Sequence, residues 1–136
     1  MYGKALSGIL VFSMIAAALL ASGCTQNAVP PKEATDIANV TADRVLRSIN
    51  DGNYGEFSTN FSASMLQGVN ESVFNEFRNN ILSQDGKYVS RSSPQTLVVG
   101  GDNVFIYDCQ FEKGRLQLQL AINATDQSTV TGLYRK

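Results

Sequence analysis

Histidine and tryptophan are both absent from this 136-residue chain. Without imidazole there is no His-based catalytic triad, no His-built metal site and no side chain with an ordinary pKa near neutrality. Cysteine is scarce too. Cys24 and Cys109 are the whole supply, too few for a structural zinc site. Eleven Lys and Arg stand against twelve Asp and Glu, a net charge of −1, so the chain carries no basic footprint for nucleic acid. Gly100-Gly101 lacks the lysine of a phosphate loop. These shortages point to no cofactor and no metal. They also leave acid pairs such as Glu71 and Glu76, or Asp36 and Asp43, to be read as solvated helix faces.

Long apolar runs are missing after residue 23, so nothing beyond that point is long enough to span a bilayer. The one such run comes first. Lys4 is the only charge before Lys32, and Ala5 to Gly23 is almost wholly apolar or small. A short positive segment, an apolar segment and small residues before a cut site describe an export signal. Ala21-Ser22-Gly23-Cys24 resembles a lipobox, in which a signal peptidase cuts before a cysteine that carries diacylglycerol. The expected organisation is a signal peptide over 1–23, a lipid-anchored tether over 24–32 containing Pro30-Pro31, and one domain over 33–136. An uncleaved N-terminal helix is the alternative anchor. Either way the domain faces outward from the cytoplasmic membrane, at the cell surface, with the membrane as its first partner. With Cys24 lipidated, Cys109 has no disulfide partner, so the domain must fold by packing alone.

Four N-x-S/T sequons follow the signal, at Asn39, Asn60, Asn70 and Asn123. They are candidate glycosylation sites wherever the host has the transferase, which fits an archaeal or Gram-positive surface. Asparagine also caps helices and fills turns, and Asn70 is placed to do so.

Helical periodicity governs the first half of the domain. Ala34, Ile37/Ala38, Thr41/Ala42, Val45 and Ile49 form one stripe between Pro31 and the stop at Asn50-Asp51-Gly52-Asn53. Asp43, Arg44 and Arg47 fall off that stripe and read as solvated. Tyr54, Phe57 and Phe61 predict a short helix. Ser62 or Ser64 opens a brief one carrying Met65 and Leu66. Glu71 to Ser83 places Val73, Phe74, Phe77, Ile81 and Leu82 on one face.

After Gly86 the period becomes two. Lys87 to Val99 is expected as one extended stretch bent at Pro94. Gly100 to Asn103 is a hairpin turn. Phe105, Tyr107, Cys109 and Phe111 then share a face, as do Leu116, Leu118, Leu120 and Ile122. Val104 and Ile106 fall on the opposite face beside Asp108 and Gln110. A last strand covers about Ser128 to Arg135. The expected fold class is α+β, with N-terminal helices packed on one face of a curved antiparallel sheet of about four strands.

Several segments together resemble one family. Asn53-Tyr54-Gly55-Glu56-Phe57 with Phe61-Ser62 and Met65 is similar to its opening motif, and Gly86-Lys87-Tyr88 to its helix-to-sheet junction. Val104 to Ile122 is similar to its paired strands, and Thr131-Gly132-Leu133-Tyr134 to its closing segment. This is domain-of-unknown-function family 3887, and the resemblance covers roughly Ala34 to Tyr134. It implies the cone-shaped fold of the nuclear-transport-factor-2-like, cystatin-like group. The family's D-x-x-G-K-[IV] turn lacks its glycine here, at Thr125 to Val130, which implies a longer turn. The resemblance carries over no catalytic residue.

A cone can hold an apolar pocket between helices and sheet. Its expected lining is Phe57 and Phe77 from the helices, with Phe105, Tyr107, Cys109, Leu118 and Leu120 from the strands; ordinary core is the competing reading for each. Three functions stay open. The first is a non-catalytic domain binding a small ligand or a protein. The second is a docking or self-associating module, a homodimer included, using the surface around Val104, Ile106, Gln117 and Gln119. The third is a pocket enzyme, which would need an inward acid or base. The inward candidates are Tyr54, Tyr88, Tyr107 and Cys109, weak proton carriers at neutral pH, while Asp108 is one residue out of phase. The residues therefore favour binding or docking over catalysis.

Overall fold

The computed structural model describes residues 29–136. Cys24 and the apolar run before it lie outside the described residues. No helix among the described residues is long and apolar enough to cross a membrane.

Helix α1 runs Lys32–Asp51 directly after Pro31, whose extended backbone (φ −59°, ψ 153°) sets the entry. It buries Ala34, Ala38, Thr41, Ala42, Val45, Leu46, Ser48 and Ile49, the expected stripe widened by its neighbours. Gly52 ends the helix in the left-handed region, φ 71°, and its N–H donates to Ser48 O at 2.8 Å. Arg78 then takes up two of the freed carbonyls, donating from Nε to Ile49 O (2.6 Å) and from Nη2 to Asn50 O (3.1 Å).

Three shorter helices follow: α2 (Tyr54–Phe57), α3 (Ala63–Gly68) and α4 (Glu71–Gln84). Each starts at a side-chain cap. Asn53, Ser62 and Asn70 accept from the N–H of Glu56, Met65 and Val73, an arrangement that contributes about 1 kcal/mol per helix start. The expected helix through Phe61 stops at Phe57. Asn60 turns the chain at φ 64°, and Phe61 instead forms an isolated parallel bridge to Val130.

The sheet has five antiparallel strands: β1 (Tyr88–Arg91), β2 (Gln95–Val99), β3 (Asp102–Phe111), β4 (Arg115–Asn123) and β5 (Val130–Arg135). β3 is the spine. β4 lies along one side of it, while β1 and β2 share the other side, pairing with residues 109–111 and 102–106. β5 closes the far edge against β4. The stretch expected as one bent strand is thus two, because Pro94 has no N–H to offer the ladder. At the break Ser92 substitutes its hydroxyl. Its N–H donates to Asp108 O at 2.9 Å, and its Oγ accepts from Asp108 N at 3.1 Å. Gly100 and Gly101 form a two-residue hairpin loop, with φ 60° at Gly100. Before β5, Gln127 takes the left-handed conformation (φ 59°), while Asp126 Oδ1 accepts from Ser128 N and Thr129 N.

One core lies between the helices and one face of the sheet. Phe105, Tyr107, Cys109 and Phe111 of β3 and Leu116, Leu118, Leu120 and Ile122 of β4 meet α1, Phe57, Phe74 and Ile81 there. Phe57 sits 4.6 Å from Phe74 and 5.3 Å from Phe61, centroid to centroid. Val104 departs from expectation. It lies on the opposite sheet face yet is only 2% exposed, flanked in register by Leu97 and Ala121.

Candidate functional site

Two flanks of α1 carry polar chemistry, and Asp43 belongs to both. On the sheet side, the Tyr107 ring is fully buried and its hydroxyl donates to Asn39 Oδ1 at 2.9 Å. Arg91, on β1, places its guanidinium 5.1 Å from the centre of that ring. The same guanidinium grips Asp43 with two hydrogen bonds, Nε to Oδ1 at 2.7 Å and Nη2 to Oδ2 at 3.1 Å. Its Nη1 donates to Ser92 O at 3.1 Å. Asp43 is therefore an ion-pair partner, not the solvated side chain that its place off the stripe implies.

Burial sets the proton affinities here. It holds the Tyr107 hydroxyl far above the usual phenol range, and it pushes the Cys109 thiol up to about 11. Burial also raises Tyr88, helped by Asp43. All three keep their protons at neutral pH. Cys109 is buried, with Sγ 3.7 Å from Tyr107 O. Asp108, in register with Gln117, is exposed on the opposite sheet face and accepts from Gln117 Nε2 at 3.3 Å. Among the described residues no three His, Cys, Asp or Glu side chains gather as a metal site.

The other flank of α1 is a groove of about 580 Å³. Val40, Asp43, Arg44, Arg47, Ser48 and Asp51 supply its α1 wall, and Asn53 and Glu56 close it where α2 begins. The wall exists because positions 40, 44, 47 and 51 recur at helical spacing on the side away from the core. Val40 is 64% exposed. Arg44 donates from Nη2 to Thr59 O over a long 3.4 Å, and its Nε is buried with no acceptor. Arg47 is exposed, as are Asp51 and Glu56. The side-chain ion pairs among the described residues are Lys32–Asp36 and Arg91–Asp43. Arg44, Arg47, Asp51 and Glu56 thus face the groove without an ionic partner.

The expected pocket lining lies elsewhere. Phe57, Phe105, Tyr107, Cys109, Leu118 and Leu120 are all buried together in the core cluster, with Phe77 packed half-buried against it. None of the seven lines the groove. Of the residues considered for docking, Val104 is already covered and Gln117 is tied to Asp108; Ile106 and Gln119 are half-buried. The four sequons are presented very differently. Asn39 holds Tyr107, and its Thr41 is buried with its hydroxyl on Ile37 O. Asn70 and Asn123 use Oδ1 to accept backbone N–H groups. Asn60 is exposed, with no side-chain hydrogen bond among the described residues. Sequence reasoning missed Arg91 and the groove. Two arginines one turn apart on the polar side of a helix were the available signal.

Helices stacked on one face of an antiparallel sheet, with a charged groove along the first helix, make this an α+β domain with a solvent-facing site. Residues 42–133 match the family model described as a protein of unknown function (DUF3887), and the chain belongs to that family. No curated protein and no solved structure matches the chain.

Proposed function

We propose that this chain is an exported, lipid-anchored binding domain that works through the α1 groove and catalyses no reaction. The observation that carries the reading is the contrast between the two flanks of α1. Inside, Tyr107 and Cys109 are buried, bonded and protonated at neutral pH, so neither is poised as a base or nucleophile. Outside, two arginines and two acids face an open groove without ionic partners. Charged side chains ready to meet a ligand therefore lie on the surface.

The anchor is diacylglycerol on Cys24, supported by the small residues before it at the end of the apolar run. Eight residues, Cys24 to Pro31, then separate the lipid from α1. The cone-shaped fold is supported by the register irregularities in the β1–β3 and β4–β5 pairings, since such bulges bend a strand and sharpen its twist.

Intact mass spectrometry of the chain extracted from its own host's membranes tests both parts. The expected denatured mass is Cys24 onward plus lipid, with an excess in the native spectrum that Arg44→Gln/Arg47→Gln abolishes. A full-length, unmodified mass overturns the lipid anchor. A native excess that survives the double substitution overturns the groove.

A further inference from the structure

Among the described residues the helices pack on one face of the sheet only, the face that holds the core. On the other face the strand register sorts the side chains into rows. Val104 of β3, Ala121 of β4 and Gly132 of β5 form one row, and Ile106, Gln119 and Tyr134 form the next. All six alternate along their strands with core residues such as Phe105, Leu120 and Leu133, so they point away from the helices. Neither row carries a charge. The third row does. It runs from Asp108 through Gln117 to Lys136, which lies just past β5 and exchanges backbone hydrogen bonds of 2.9 and 2.8 Å with Gln117.

This face is lopsided about β4 in both relief and charge. On the β3 side stand two aliphatic side chains, Val104 and Ile106, and then an acid. On the β5 side stand a glycine without a side chain, the Tyr134 ring, and then a base. A two-fold axis along β4 turns the asymmetry into a fit, because it lays β3 of each copy over β5 of the other. Val104 then meets the dip at Gly132, Ile106 meets Tyr134, and Asp108 meets Lys136. Each contact occurs twice, as an isologous interface requires.

The charges agree with that arrangement. Within one chain Asp108 and Lys136 are two strands, about 10 Å, apart. Neither takes part in the two side-chain ion pairs of the described residues. Arg115 is the one charge of the face that lies on the axis, and Gln110 Oε1 draws its guanidinium towards β3 at 3.0 Å. Four strand widths of about 4.8 Å and a strand length of roughly 30 Å give a face of about 600 Å². Two copies therefore bury about 1,200 Å², the low end of the range for stable interfaces.

We propose that this chain forms a two-fold dimer through the sheet face that carries no helices, with Asp108 of each copy paired to Lys136 of the other. The α1 groove lies on the helical side and stays open in the pair. The dimer therefore stands or falls independently of what the groove binds.

The test is light scattering on the full chain in detergent micelles, with the detergent contribution subtracted. The protein mass should rise with concentration to twice that of one chain. Asp108→Lys and Lys136→Asp, both at exposed positions, should each raise the dissociation constant about tenfold or more, since each sets two like-charge contacts in place of two pairs. The double substitution Asp108→Lys/Lys136→Asp should restore the dimer. Glu76→Lys, exposed on the helical side, should leave it unchanged. A single-chain mass at every concentration would overturn the proposal. A dimer indifferent to both single reversals would place the contact elsewhere and overturn this face. Loss in both single variants without recovery in the double would overturn the pairing across β4.

Discussion

Arg91 and Asp43, 48 positions apart in the chain, meet through two parallel hydrogen bonds that tie the first strand to the first helix. The side chains are 18% and 37% exposed, so solvent screens part of the attraction. A double-mutant cycle with Arg91→Ala and Asp43→Ala should give a coupling energy of about 1 kcal/mol from urea unfolding. It should shrink as salt is added. A coupling indistinguishable from zero at low salt would show that the pair adds nothing to the ladder and to the two Asn50–Tyr88 hydrogen bonds that also hold β1.

Alkaline pH should loosen the domain through three buried or half-buried acids that hold their protons in the fold. Cys109 is raised from 9.0 to about 11 by burial, and Tyr107 and Tyr88 are raised above 10.0. The unfolded chain therefore releases these protons at lower pH than the folded one. Their contribution is complete below about pH 9 and declines as pH rises towards 11 and beyond. Urea midpoints across pH 7–11 should fall in that window, and Cys109→Ala should flatten part of the fall. A flat profile for the unsubstituted chain would contradict the burial of these groups.

Gly86 and Gly100 both have positive φ, 79° and 60°, but differ in their surroundings. A Cβ at Gly86 would lie 2.9 Å from Glu112 Cβ and 3.0 Å from Glu112 Oε1, the oxygen that accepts from Lys87 N. A Cβ at Gly100 would meet nothing within 4 Å. Gly100→Ala should cost about 1 kcal/mol, the left-handed penalty alone. Gly86→Ala should cost clearly more, since it also displaces Glu112. Equal losses of stability in urea would mean that Glu112 moves aside freely.

Where the host attaches N-linked sugar to this chain, the folded domain offers Asn60 before the other sequons. Asn60 is exposed on a left-handed turn, whereas Asn39 is engaged by Tyr107 and lies on a helix with Thr41 buried behind it. Peptide mapping of the chain isolated from such a host should find sugar at Asn60 and none at Asn39. Sugar at Asn39 would require modification before folding.

Periodicity made most of this architecture legible. The α1 stripe, the alternation of Phe105 to Phe111 and of Leu116 to Ile122, and the cap at Asn70 each follow from local pattern and are found in place. What the pattern could not show depended on partners distant in sequence. Asp43 looked solvated because an i,i+4 neighbour such as Arg47 on an exposed helix face implies no fixed pair, and the partner it does take, Arg91, arrives from β1. Asn39 looked like a modification site because its own helix gives it no role, and Tyr107 reaches it from β3. Val104 breaks the alternation rule because a strongly paired sheet can cover a residue with its own neighbours, Leu97 and Ala121. The groove was invisible because α2 is four residues long and its placement against α1 is a tertiary event.

The break at Ser92–Pro94 has a consequence for life at high surface density. Proteins held in one plane meet edge to edge far more often than in bulk, and an unbroken strand edge invites a neighbour to add its own strand. Here the exposed margin of the sheet is divided into β1 of four residues and β2 of five, with a proline between them. At the opposite margin, the residues from Asn60 to Ser62 occupy the start of β5. Neither border offers a long straight run. On the lipid-anchored reading proposed above, copies crowded into one patch of membrane would find no edge on which to add a strand.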